Sequence, residues 1–194
     1  MEKIGRLSLA RLDFSQLSSR YAALRAGELP NIFNPVFETG ALMDLGIYCI
    51  YPALYYWGMP QQIDARAVFL PSGADGSGCA LFTYPDKLAV LTYSKTGQAA
   101  APSEIQGDRG TVAIQSISQL AQMTLTADGQ TTLLQGAQDK AELMGHEALD
   151  FYQAVVGEKA ALDKYRRDAR LALDAARCLH TVRRAAGIRF PRDC

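Results

Sequence analysis

Gly40-Ala41-Leu42-Met43-Asp44-Leu45-Gly46-Ile47-Tyr48-Cys49-Ile50-Tyr51-Pro52-Ala53-Leu54-Tyr55-Tyr56-Trp57 is an apolar run that carries a single charge. It sits in the longest apolar stretch of the chain, Thr39 to Pro60. That stretch is just long enough to span a bilayer. Asp44 near its start and the lack of a basic flank after it favour a core helix of a globular fold instead. The helix is expected from about Gly40 to Trp57, stopped by Gly58 and Pro60. Pro52 cannot donate to the carbonyl of Tyr48, so a kink or widened turn is expected beside Tyr48.

A buried helix needs a partner surface, and the flanking sequence supplies strands. Ile4 to Phe14 reads as a strand with apolar residues near a period of two. Ser15 to Pro35 is a polar, turn-rich connection, and a loop this long inside a compact domain is often functional. Downstream, Gln62–Leu70 and Gly78–Tyr84 are joined by a Gly/Ser/Asp turn. Leu88–Lys95 follows a tight turn at Tyr84-Pro85-Asp86-Lys87. Ser103–Gln106 and Thr111–Gln115 flank Gly107-Asp108-Arg109-Gly110. Met123–Ala127 and Thr131–Leu134 flank Asp128-Gly129, a hairpin signal. The chain ends in helices over Glu142–Val156 and Ala160–Ala186. This order predicts a single α+β domain over residues 1–194, with an open, mostly antiparallel sheet. There is no GxGxxG after a strand and no P-loop, so no Rossmann domain is expected in this chain.

Composition narrows the function classes. Twenty basic residues balance 20 acidic ones, apolar content is 48% and charged content 21%. That argues against nucleic acid and anionic membranes as partners. Cys49, Cys79, Cys178 and Cys194 show no metal-ligand spacing, so reduced thiols, a cytoplasmic setting and no metal site are expected. His146 and His180 read as surface residues. The mixed charges of Asp163 to Arg184 read as a solvated helix face, and Lys95, on a strand, reads as solvated.

The chemistry concentrates on the helix. Asp44 and Tyr48 are four residues apart and share a face, which Tyr51 and Tyr55 continue. Two readings stand. Asp44 can simply answer the helix dipole and the tyrosines can be core or interface. Alternatively, a lone carboxylate and a phenol one turn apart form a catalytic pair in a cleft.

Gly40-Ala41-Leu42-Met43-Asp44-Leu45-Gly46-Ile47-Tyr48 resembles the GALxDxGxY motif of the glucose–fructose oxidoreductase / inositol dehydrogenase (Gfo/Idh/MocA) family. Tyr48 stands where many members carry His, which resembles the dihydrodiol dehydrogenase branch. Ser18-Ser19-Arg20-Tyr21 and Asn31-Ile32-Phe33-Asn34-Pro35 resemble the loop before that helix. Ile105 to Thr111 resembles the family's IxGxxG hairpin, and Gly187 to Asp193 its carboxy-terminal ending.

The resemblance implies a carboxy-terminal domain like that of glyceraldehyde-3-phosphate dehydrogenase, with helices on one face of the sheet. It implies hydride transfer between a nicotinamide and a carbinol or carbonyl carbon of a sugar, polyol or diol. Tyr48 would be the acid/base, and Asp44 would orient substrate hydroxyls. Arg20, Tyr21, Asn31 and Asn34 are further candidates for substrate contacts, and Lys95 is a lesser one, because a strand lysine is usually solvated. A free phenol has a pKa near 10, so a lysine cation from the family's Rossmann domain would be needed to lower it. NAD or NADP would be bound mainly by that domain, of which this chain has neither the glycine-rich loop nor the Glu-Lys-Pro motif. The expectation is a truncated, substrate-side half, without cofactor or turnover as an isolated chain, pairing into a homo-oligomer through the open sheet face. The competing expectation is a non-catalytic oligomerisation or small-ligand-binding module.

Overall fold

A computed structural model describes residues 2–193. Cys194, read above as a reduced thiol, lies outside the described residues.

Period-two alternation builds most of the molecule. The strands are β1 (Leu7–Ser15), β2 (Gln62–Phe69), β3 (Asp75–Thr83), β4 (Leu88–Ser94), β5 (Ser103–Gly107), β6 (Gly110–Ser116), β7 (Ala121–Ala127) and β8 (Gln130–Gln135). They form one sheet in the order β2-β3-β4-β1-β5-β6-β7-β8. β1 lies parallel to β4, and every other neighbouring pair is antiparallel. The hairpin signals explain this: Tyr84 N–H donates to the Lys87 carbonyl at 3.0 Å between β3 and β4. Asp128 and Gly129, at φ of 51° and 75°, close β7 onto β8.

One face of the sheet is covered. Ala10 and Leu12 of β1, Phe82 of β3, and Ala89, Leu91 and Tyr93 of β4 are buried. They meet α2 (Ile47–Trp57) through Cys49, Ile50, Ala53 and Leu54, and α4 (Lys159–Ala185) through Ala175, Cys178 and Val182. Each fully buried Leu or Ile contributes about 1.5–3 kcal/mol. α3 (Lys140–Val155) packs on α4 and leaves Phe151, Tyr152 and Val155 exposed. Among the described residues no helix is long and apolar enough to cross a membrane.

Several boundaries differ from the sequence reading. The first strand starts at Leu7, after a 3-10 turn over Glu2–Ile4. β3 begins at Asp75, three residues before Gly78, because Phe69 and Asp75 still pair across a bulge. The long connection is not bare loop. It holds α1 (Tyr21–Arg25) and 3-10 turns at Asn31–Phe33 and Pro35–Phe37. Arg183 is not on a solvated face: it is buried, and it donates to the Ile188 carbonyl and to Asp193. These bonds fold the carboxy-terminal segment back onto α4.

Candidate functional site

The site begins with the entry to α2. Residues Leu42–Gly46 form a turn of π-helix, in which the Ile47 N–H reaches the Leu42 carbonyl five residues back. The sequence placed a widened turn beside Tyr48 on account of Pro52. The widening lies one turn earlier, where three tertiary contacts hold the chain. The Asp75 carboxylate accepts the Leu42 N–H at 2.7 Å. A Cβ on Gly46 would stand 2.8 Å from Leu42 Cδ1 and 3.1 Å from the Tyr93 ring, so helix and sheet meet there at backbone distance. Lys95, just beyond β4, forms an ion pair with Asp44.

Two depressions meet at Asp44. One is an apolar groove of about 700 Å³, lined by Asp44, Tyr48, Tyr51 and Tyr55 of the helix stripe, by Leu120 from the β6–β7 turn and by Leu171 of α4. The other is a pocket of mixed character, about 300 Å³, lined by Gln16, Ser18, Ser19, Asp44 and Lys95 together with Leu17, Ile32 and Leu45. The Asp44 side chain is 57% exposed and Tyr48 is 44% exposed, so both are open to solvent. The Tyr48 ring is held edge-on against Phe14 at 5.2 Å between centroids. A carboxylate and a phenol on one helix face, opening on a shared groove, can accept and donate hydrogen bonds to the same small polar molecule.

The other expected residues are placed differently. Arg20 is exposed at the start of α1. Tyr21 is half-buried, its ring 6.1 Å from that of Phe33. The exposed Asn31 offers its carbonyl to Thr39 Oγ1 at 3.0 Å. Asn34 Oδ1 accepts the Val36 N–H at 3.1 Å, a turn cap. None of these four lines the two depressions at Asp44. His146 and His180 are exposed.

Lys95 requires a correction. It is not solvated but 4% exposed, with Nζ on Asp44 and 6.0 Å from the centre of the Phe33 ring. The signal was present: Ala89, Leu91 and Tyr93 are buried at a period of two, and Lys95 continues their parity. Asp75 was not singled out at all. It is fully buried, and burial pushes its carboxyl above the usual range against the opposing pull of the Leu42 N–H and of Lys95. Its second oxygen has no hydrogen-bond partner. Thiol chemistry finds no support at the buried cysteines. Burial raises Cys49 far above its ordinary value and pushes Cys178 up to about 12. Among the described residues no group of three or more His, Cys, Asp or Glu is placed to hold a metal ion.

Comparison with known proteins gives a consistent picture. Residues 2–113 match the family model described as the GFO/IDH/MocA C-terminal domain. The chain is 34% identical over 194 residues to a scyllo-inositol 2-dehydrogenase (NADP(+)), IolU, of Bacillus subtilis. It is 31% identical over 193 residues to the uncharacterized oxidoreductase YgjR of Escherichia coli. Both alignments cover 100% of this chain and 58% of the relative, so the chain spans a little over half the length of the relatives it matches. Among solved structures, a UDP-N-acetylglucosamine 3-dehydrogenase, GnnA, of Acidithiobacillus ferrooxidans superposes with a TM-score of 0.68 at 14% identity. It covers 95% of this chain and 55% of that one, a likeness of fold.

Proposed function

The chain belongs to the GFO/IDH/MocA family, as a carboxy-terminal domain of its oxidoreductases, and on that premise we propose that it is the substrate-binding half of an NAD(P)-dependent oxidoreductase. The reaction proposed is oxidation of a CH–OH carbon, or reduction of the matching carbonyl, in a sugar, polyol or diol. The observation that carries this reading is the pairing of Asp44 with Tyr48 at an open groove, one helical turn apart.

The nicotinamide cofactor supplies the hydride acceptor or donor when bound. The described residues do not suit its phosphates. The helix that lines the groove is not entered from a glycine-rich strand-to-helix turn, and the Leu42 N–H in its first turn is buried and bonded to the Asp75 carboxylate. We therefore assign dinucleotide binding to residues outside this chain, and derive only what Asp44 and Tyr48 do. Tyr48 holds or returns the proton of the reacting oxygen. Asp44, an acceptor, takes a hydrogen bond from a neighbouring hydroxyl and so sets which carbon faces the cofactor.

Ligand-observed NMR titration of the purified chain with scyllo-inositol tests this reading. Saturable binding is expected, weakened in Asp44→Asn and in Tyr48→Phe. Binding that is indifferent to both substitutions would refute the assignment. Turnover by the chain alone with NADPH or NADH would refute the placing of the cofactor site elsewhere.

A second proposal concerns assembly. The face of the sheet away from α2 and α4 presents Leu81 and Val90, paired across β3 and β4, beside Arg11 and Thr92. A broad sheet face of mixed apolar and polar side chains suits self-association, and we propose a homo-oligomer formed through it. Light scattering should give a multiple of the 21.1 kDa chain mass, and Val90→Lys should reduce it to the monomer.

A further inference from the structure

We propose that Lys95 is a positioning residue of the substrate site, clamping one oxygen of Asp44 so that the other is held ready to accept a substrate hydroxyl. This inference rests on the reading of the chain as a substrate-binding half.

A lysine on a small domain ordinarily keeps its ammonium in water and buries only its stem. Lys95 does the reverse, with its head inside and its partner, Asp44, at the surface. Its backbone is tied on both sides. The Lys95 N–H donates to the Gly76 carbonyl at 2.8 Å, and its carbonyl accepts the Ser18 N–H at 2.9 Å. The Phe33 ring, itself fully buried, lies 6.0 Å from Nζ, and Tyr21 packs on that ring at 6.1 Å. The ammonium is therefore a fixed charge, placed by β3, by β4 and by the connection before α2.

Asp75 is the other acidic side chain near Lys95, but its Oδ2 is engaged with the Leu42 N–H and burial disfavours its charged form. Lys95 thus meets one ion-pair partner, Asp44 Oδ2. An exposed aspartate on a helix rotates freely among several orientations, and a fixed cation on one oxygen removes that freedom. Because Asp44 precedes Tyr48 by one turn, fixing the carboxylate fixes the spacing between the two points where a diol would be held. The pocket on the Lys95 side, where Ser18 and Ser19 stand beside Leu17, Ile32 and Leu45, continues the groove beyond Asp44.

The test measures binding of scyllo-inositol and of cyclohexanol to the wild-type chain, to Lys95→Met and to Lys95→Gln, by ligand-observed NMR. The second variant keeps a polar head should the first fail to fold. Loss of an oriented, charge-assisted acceptor predicts about tenfold weaker inositol binding, with cyclohexanol binding unchanged. Inositol binding unchanged in the variants, or loss of both ligands together, overturns the positioning role while leaving the substrate-half reading intact. Failure of the wild-type chain to bind inositol overturns that reading, and this inference with it.

Discussion

The carboxylate of Asp75 occupies the space where a side chain on Gly40 would begin: a Cβ there would stand 1.8 Å from Asp75 Oδ1. The glycine that opens the helix motif is thus required by a buried acid more than thirty residues away. Gly40→Ala should cost about 1–3 kcal/mol through overpacking, and more if Asp75 is driven from the Leu42 N–H. Urea unfolding of the variant checks this, and an unchanged midpoint would show that the contact yields cheaply.

Asp75 should also leave a mark on stability against pH. Its carboxyl is raised by burial, so the folded chain holds its proton to higher pH than the unfolded chain does. Its contribution is fully present below the ordinary aspartate range, near pH 4, and declines as pH rises toward the folded value. Asp75→Asn keeps an oxygen for the Leu42 N–H but cannot ionise. The wild type should therefore lose stability relative to this variant as pH is raised from 4 to 8. Parallel curves would contradict the assignment.

The sequence told much of this and missed the rest for definable reasons. Hairpins closed by Asp128-Gly129 and by Tyr84 to Lys87 are local in the chain, and the mostly antiparallel sheet followed from them. Asp44 and Tyr48 were legible because helical spacing alone puts them on one face. Asp75 was not, since it sits beyond Pro71-Ser72-Gly73, a segment with the composition of a surface turn. Its partners, Leu42 and Gly40, lie more than thirty residues away in the chain. Lys95 was legible by parity and was misjudged on residue type. The π turn lies where Asp75, Tyr93 and Lys95 meet the helix, contacts that a local rule about Pro52 does not contain.

The Lys95–Asp44 pair should respond asymmetrically to substitution. Asp44→Asn leaves a buried ammonium without its countercharge. Because Asp44 is itself largely solvated, the cost should fall below that of a fully buried pair, at about 1–2 kcal/mol. Lys95→Met removes the buried charge and keeps the packing, and should change stability by less than about 1 kcal/mol. Thermal melts of the two variants, side by side, decide whether the order is as stated.

At the far end of α4, Asp193 accepts from Arg183 and from the Phe190 N–H. The Arg183 guanidinium holds the Asp193 carboxyl well below its usual range. Its contribution is present above the ordinary aspartate range and is lost as pH falls below it, toward the lowered folded value. Hydrogen exchange at the Phe190 amide should be slow in the wild type at pH 6 and faster in Asp193→Asn. Equal rates would show that this clamp does not hold the tail.

The most direct measurement of the central claim is chemical-shift mapping of the isotope-labelled chain during titration with scyllo-inositol. If Asp44 and Tyr48 hold the substrate, the perturbed amides will cluster at Leu42 to Tyr48, at Ser18 and Ser19, and at Lys95. Perturbations confined to the open sheet face, around Leu81 and Val90, would contradict it.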